Sequence, residues 1–297
     1  MATDESGHYG ISRLPKIGLG SRENTRQPEG PGRKLYAHAE TLARDFRQTK
    51  HKLYKRLRRL PDQRKRVDTK VVSKILRSEL RGATKVISCS LYGTDPRYFE
   101  HLDTMLKSYA ELLPSYTCRF YVAADIRGEI LNLLRSYGAE IITMSGEGVE
   151  HRFMFWRFLA CEDVELDRVL VRDVDHVALP QEKLMVERWE GSGKRFHIIR
   201  SHYSHNMRVM GGLWGAVPEQ NLITMHFRKL WRFQNWLWGA DQVFLERYVY
   251  PAMRRSLFVS ELYRRFPDEE VDLSPVDVEI FSFVGEPAFP VSSRDAS

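Results

Sequence analysis

The chain of 297 residues contains only three cysteines, Cys89, Cys118 and Cys161. They are odd in number, widely spaced and set in apolar segments, which argues against a disulfide framework or a CxxC metal site. A reducing compartment is the expected home. Long hydrophobic runs are also missing: no stretch approaches the roughly 18 apolar residues of a membrane span. The opening "MATDESGHYGISRLPKIGLGS" has no apolar core of a secretory signal. A soluble, cytoplasmic protein is expected, with peripheral attachment to a membrane left open. Residues 1–33 are short of large apolar side chains and are expected to stay unfolded, because they bury too little surface to offset chain entropy. Residues 291–297 are read as a second tail.

Charge is divided unevenly along the chain. Residues 1–85 hold 22 Lys and Arg against 9 Asp and Glu, a balance of +13, whereas residues 86–297 hold 24 against 30, a balance of −6. A basic arm therefore precedes a mildly acidic body, and such an arm suits an anionic partner, either a membrane surface or nucleic acid. Residues 34–84 read as a basic helical extension. Leu35, Ala39, Leu42, Phe46, Leu53, Leu57 and Leu60 keep helical spacing up to Pro61, and Lys50, Lys52, Lys55, Arg56, Arg58 and Arg59 occupy the other faces. A second helical pattern, Val71, Val72, Ile75, Leu76 and Leu80, stops at Gly82. Three readings stand for this extension: a hairpin packed on the body, a coiled coil that makes a homo-oligomer, or a helix lying on a membrane.

Residues 85–290 alternate β-rich and helical runs. "KVISCSLYG" (85–93), "TCRFYVAAD" (117–125) and "AEIITMS" (139–145) read as strands, and 95–113, 126–138 and 151–163 read as helices. This order predicts an α/β fold with a mixed, mainly parallel sheet flanked by helices, since parallel neighbours need a crossover.

The stretch "RVLVRDVDHV" (168–177) is an apolar run that ends in two carboxylates. As a central strand it would place Asp173 and Asp175 at its carboxyl end, where open α/β sheets bind ligands. Two convergent carboxylates suit Mg2+ or Mn2+, with phosphate oxygens completing the shell. A solvated turn or a helix cap is the competing reading of an isolated Asp-x-Asp. His197, His202 and His205 suggest a loose zinc cluster, but no cysteine accompanies them, and polar lining of a site is preferred for His202 and His205.

The ordered blocks "KVISCSLYGTDPRY", "MFWRFLACEDVELDRVLVRDVDH", "FHIIRSHYSHNMRVMGGLWGA", "WGADQVFLERYVYP" and "FSFVGE" resemble the nucleotide-sugar-dependent glycosyltransferases of the GT-A fold, in particular bacterial-type transferases with a DxD motif and retaining relatives. The resemblance covers roughly residues 85–286 and implies a metal-dependent hexosyltransferase of polysaccharide biosynthesis, acting on a glycan or lipid-linked acceptor. It implies Mn2+ or Mg2+ on Asp173 and Asp175. It implies donor binding by Ser90, Tyr92, Gly93, Arg157, Gly211, Gly212 and Trp238, and catalysis by Asp241 with Gln242 beside it. It also implies a loop around "FSFVGE" that closes over the diphosphate, which favours retention of configuration. One departure is His176, which stands where the motif carries a small polar residue and which is expected to line the site. The competing function is a nucleic-acid-binding protein, or a transferase acting on nucleic acid, that uses the basic arm beside a degenerate transferase body.

Overall fold

A computed structural model describes residues 74–147, 151–202, 204–227, 239–262, 266–272 and 284–285. The helix expected over 35–60, both tails and Trp238 lie outside the described residues.

The described chain begins with β1 (Ile75–Glu79) and β2 (Lys85–Leu91), followed by α1 (Arg97–Glu100) and α2 (Leu102–Leu112). Then come β3 (Thr117–Ala123), α3 (Gly128–Ser136), β4 (Glu140–Met144) and a 3-10 helix (His151–Glu162). After these follow β5 (Arg168–Val171), α4 (Pro180–Gly191), β6 (Phe196–Arg200) and β7 (Trp214–Ala216). Helix α5 (Ala240–Phe244) passes through a π turn (Leu245–Val249) into α6 (Tyr250–Met253), and β8 (Leu257–Glu261) completes the sheet.

Among the described residues eight strands form one sheet in the order β1-β4-β3-β2-β5-β7-β6-β8. The centre, β4-β3-β2-β5, is parallel, as is β6 with β8, whereas β1, β5 and β6 meet β4, β7 and β7 antiparallel. This is the α/β class expected from the alternation of strands and helices. The chain moves outward from β2 through β3 and β4, then returns to place β5 on the other side of β2. The gap between the carboxyl ends of β2 and β5 is therefore a topological switch point, the place where open α/β sheets bind ligands.

Local sequence accounts for most of the elements. In α2 the buried side chains Leu102, Met105, Leu106 and Tyr109 follow the i, i+3, i+4, i+7 spacing of one helix face. Helix α3 buries Ile130 and Leu134, and closes where Gly138 adopts φ +70° and Ala139 N–H donates to Leu134 O at 3.1 Å. Cys89, Cys118 and Cys161 are buried and unbridged, in line with the reading that they form no disulfide. Among the described residues no helix is long and apolar enough to cross a membrane.

Two elements differ from expectation. The second helical pattern, over Val71 to Leu80, is strand β1 where it is described, and the sheet begins before residue 85. Its backbone pairs with the outer edge of β4, from Ile75 opposite Met144 to Glu79 opposite Ile141. The Arg135 guanidinium of α3 grips Glu79 with two bonds of 2.9 Å. Tertiary pairing overrides apolar spacing here, and Ile75 and Leu76 stay more than half exposed. The helix expected over 151–163 is a 3-10 helix, buried on nearly every side. Serines of β2 capture its backbone: Ser88 Oγ donates to Arg157 O at 2.7 Å, and Ser90 Oγ accepts from Arg157 N at 2.9 Å and donates to Met154 O at 3.3 Å. Groups satisfied from outside need no regular α ladder.

Candidate active site

A cleft of about 290 Å³ opens at the switch point. Ser90, Leu91 and Tyr92 bring the end of β2 to it, Asp173 to His176 bring the end of β5, and Asp241 and Gln242 arrive from α5. Strand β5 positions its segment because Val169, Leu170 and Val171 are fully buried, so the chain first becomes polar where it leaves the sheet.

Arg157 organises the charge. One end of its guanidinium pairs with Asp173, and Nη2 donates to Asp241 Oδ2 at 2.9 Å. Arg157 and Asp241 are each 5% exposed, whereas the Asp173 side chain is 51% exposed. Burial lowers the guanidinium pKa, but Asp173 and Asp241 more than compensate and hold it above the ordinary value. Burial raises the Asp241 carboxyl, with Arg157 opposing and Asp173 adding to the rise. Among the described residues the buried Nε of Arg157 meets no acceptor. Asp241 is not the cap of its own helix: the turn into α5 is made by Gly239 at φ +81°.

Asp175 is pushed up to about 6, first by burial and then by the charge of Asp173. Two crowded carboxylates that face one cleft fit a hard divalent cation, which would relieve their repulsion and leave coordination positions for other oxygens. Among the described residues no three His, Cys, Asp or Glu side chains are grouped to enclose an ion.

Two glycines of "MGGLWGA" lie against the carboxylates of the cleft. A methyl group on Gly211 would collide with Asp241 Oδ2 and lie 3.0 Å from Arg157 Nη2. One on Gly212 would collide with Asp173 Oδ2 and lie 2.8 Å from the Asp173 backbone nitrogen. Donor binding was expected of both glycines; their missing side chains leave room for the two carboxylates, and Gly211 lines the cleft. Gly212→Ala is therefore expected to displace Asp173 together with its backbone, at about 1–3 kcal/mol of stability. Chemical denaturation beside the parent checks this, and an unchanged midpoint would contradict it.

The other candidates divide into those at the cleft and those away from it. Tyr92 lines it, braced edge-on by Phe153 at 5.6 Å and Trp156 at 6.3 Å. Ser90 reaches the wall of the cleft, but its hydroxyl is committed to the 3-10 helix. Gly93 lies outside the lining and makes a turn at φ +78°. His176 lines the cleft, with its ring turned to Glu182. His202 and His205, expected to line the site, do not: His202 Nδ1 meets Ser204 Oγ at 2.6 Å, and His205 Nδ1 accepts from Ser201 N at 3.2 Å. Their loop folds on itself, and Ser201 Oγ ties it to Val284 O at 3.1 Å. That bond helps to bring Gly285, from the "FSFVGE" block, to the cleft wall.

His197 is remote from any cluster. It is fully buried in β6, stacked on Trp189 at 5.3 Å, with Nε2 2.9 Å from Ser260 Oγ. Burial first, then the charge of Arg172, lowers its pKa to about 3. A depressed folded pKa gives stability that is present above the unfolded value near 6.5 and is lost as pH falls toward 3. Thermal melts of the parent are expected to weaken between pH 6.5 and 4 more steeply than those of His197→Asn; parallel curves would contradict this.

Sequence reasoning missed Tyr98, His151 and Met154, which also line the cleft, and it missed the charges beneath it. Glu182 of α4 is fully buried and meets Arg172 Nε at 2.6 Å and His176 Nε2 at 2.9 Å. Burial alone would raise this carboxyl, but Arg172 and His176 outweigh it and hold the pKa near 2. The available signal was Arg172, a cation adjoining the apolar run Val169 to Val171, which cannot be buried without an anion.

Fold and cleft define an α/β protein with a carboxylate-lined cleft at the carboxyl ends of its central strands. No family model matches the chain, and no curated protein matches it in sequence. Solved structures that resemble it include 4-diphosphocytidyl-2C-methyl-D-erythritol synthase from Anaerococcus prevotii, at 12% identity and TM-score 0.42, over 61% of this chain and 90% of that one. Glucosyl-3-phosphoglycerate synthase from Mycobacterium tuberculosis, solved with Mn2+, uridine diphosphate and phosphoglyceric acid, matches at 12% identity and TM-score 0.32, over 46% of this chain and 56% of that one. A mannosyltransferase from Pyrobaculum calidifontis, solved with GDP-mannose and Mn2+, matches at 12% identity and TM-score 0.35, over 64% and 58%. The match thus spans little more than half the length of either glycosyltransferase.

Proposed function

We propose that the chain is a metal-dependent glycosyltransferase that moves a sugar from a nucleotide-diphosphate sugar to a glycan or lipid-linked glycan. The observation that carries this reading is the convergence of Asp173, Asp175 and Asp241 on one switch-point cleft, with the Arg157 cation among them. A divalent cation on Asp173 and Asp175 would supply Lewis acidity to the departing diphosphate. Arg157, fixed by two carboxylates, adds a preorganised positive charge where negative charge develops. Tyr92 and Tyr98 offer apolar walls for the nucleoside. Asp241, almost shut off from solvent, offers a carboxylate to the sugar as it gains cationic character, as in glycoside chemistry. We read the outcome as retaining, because Gly285 brings the segment of the expected closing loop to the cleft wall.

Incubation of the purified chain with a panel of sugar nucleotides, with Mn2+ or with EDTA, tests this reading through release of nucleoside diphosphate and the anomeric configuration of the product. Absence of nucleotide binding with every divalent cation would overturn it. The basic balance of residues 1–85 favours a contact with an anionic surface, either membrane or nucleic acid. Tight, salt-steep binding of nucleic acid combined with no effect of Asp173→Ala on any activity would favour the degenerate-body reading instead.

A further inference from the structure

Glu182 touches both flanks of the aspartate pair at once. One of its oxygens takes Arg172 Nε at 2.6 Å and the other faces His176 Nε2 at 2.9 Å. Arg172 directly precedes Asp173, and His176 directly follows Asp175. A single carboxylate from the first turn of α4 therefore ties down both ends of the stretch 172–176. Arg172 is anchored on the sheet side as well, where Nη1 donates to Val171 O at 2.7 Å and to Trp214 O at 2.9 Å. The Tyr109 hydroxyl of α2 approaches Glu182 Oε1 at 3.3 Å. Between the two anchors the backbone has left β5, and its turn is closed by His176 N–H donating to Asp173 O at 3.2 Å. Asp173 and Asp175 lie beyond the described end of β5, so the side-chain anchors on either side of them help to set their spacing.

We infer that Glu182 is a positioning residue: by holding Arg172 and His176 together, it sets the separation and aim of the Asp173 and Asp175 carboxylates and thereby their affinity for a divalent cation. The inference rests on the reading of that pair as cation ligands. A buried ion pair is a poor device for stability alone, since packed apolar groups often serve as well. Partners that orient metal ligands typically change metal affinity by about 10–100-fold when removed.

Mn2+ alone, titrated into the full chain and followed by the electron paramagnetic resonance of the free ion, tests the inference. Glu182→Gln and His176→Ser are each expected to weaken Mn2+ binding by about 10–100-fold, and His176→Gln, which keeps a donor, to recover part of the loss. Glu140→Gln is the control. It breaks the buried Arg119 pair of 2.7 Å at the amino-terminal end of β4, away from the cleft, and is expected to lower the melting temperature without changing Mn2+ affinity. If Glu182→Gln does not fold, His176→Ser carries the test. Unchanged affinity in the Glu182 and His176 variants, or equal weakening in Glu140→Gln, would overturn the inference while leaving the pair as ligands. A parent chain that binds no Mn2+ would overturn the ligand reading itself, and this inference with it.

Discussion

Asp173→Asn is expected to remove Mn2+ binding and to lower the transfer rate by about 10²–10³-fold, the cost of losing one charge-stabilising group in a preorganised site. The substitution keeps shape and removes charge. It takes one ligand from the proposed cation and one of the two anions that hold Arg157. Stability should change little, within about 1 kcal/mol, because half of the Asp173 side chain faces solvent and its ion pair is screened accordingly. Nucleoside diphosphate release and a melting curve on one preparation separate the two effects. A rate within a few-fold of the parent would remove Asp173 from the reaction.

Arg157→Met is expected to be the most destabilising single change at the cleft, at about 3–5 kcal/mol, because it leaves a buried carboxylate without its cation. The carboxylate concerned is Asp241, 2.9 Å from Arg157 Nη2 and nearly inaccessible. The sign of the pH dependence follows from the direction of the Asp241 shift. Burial already raises its folded pKa, and loss of Arg157 would raise it further. A group raised in the folded state contributes stability below its unfolded value and loses it as pH rises through the folded one. The deficit of Arg157→Met should therefore be largest at neutral pH and shrink as pH falls through the raised folded value toward the ordinary carboxylate range. Asp241→Asn added to Arg157→Met should recover most of the loss, a coupling that a double-mutant cycle measures directly. Arg157→Lys should not substitute, since one ammonium lacks the planar fork that reaches two carboxylates. Additive losses in the cycle would show that Arg157 and Asp241 do not act as a pair.

Much of the architecture was legible from local pattern. The apolar run Val169 to Val171, the helix face of Leu102, Met105, Leu106 and Tyr109, and the stop at Gly138 each reflect a periodicity or a backbone preference that neighbouring residues set among themselves. Asp173 and Asp175 stood out because charge follows at once on a buried strand, and Asp241 only through the resemblance carried by "WGADQVFLERYVYP". Other features left a weaker trace. Ile75 and Leu76 carry helical spacing, yet they belong to β1, which pairs with the edge of β4, more than 60 positions away.

The sequence by itself determined an α/β chain with a basic arm, reduced cysteines and an acidic pair at a strand end, since these follow from composition and from contacts between near neighbours. Only the tertiary structure decided that Arg157 bridges Asp173 and Asp241, that Gly211 and Gly212 make room for those carboxylates, and that Glu182 ties down both sides of the aspartate pair. The reason is electrostatic. A buried charge must find its partner wherever the fold places one, and chain position does not encode that distance.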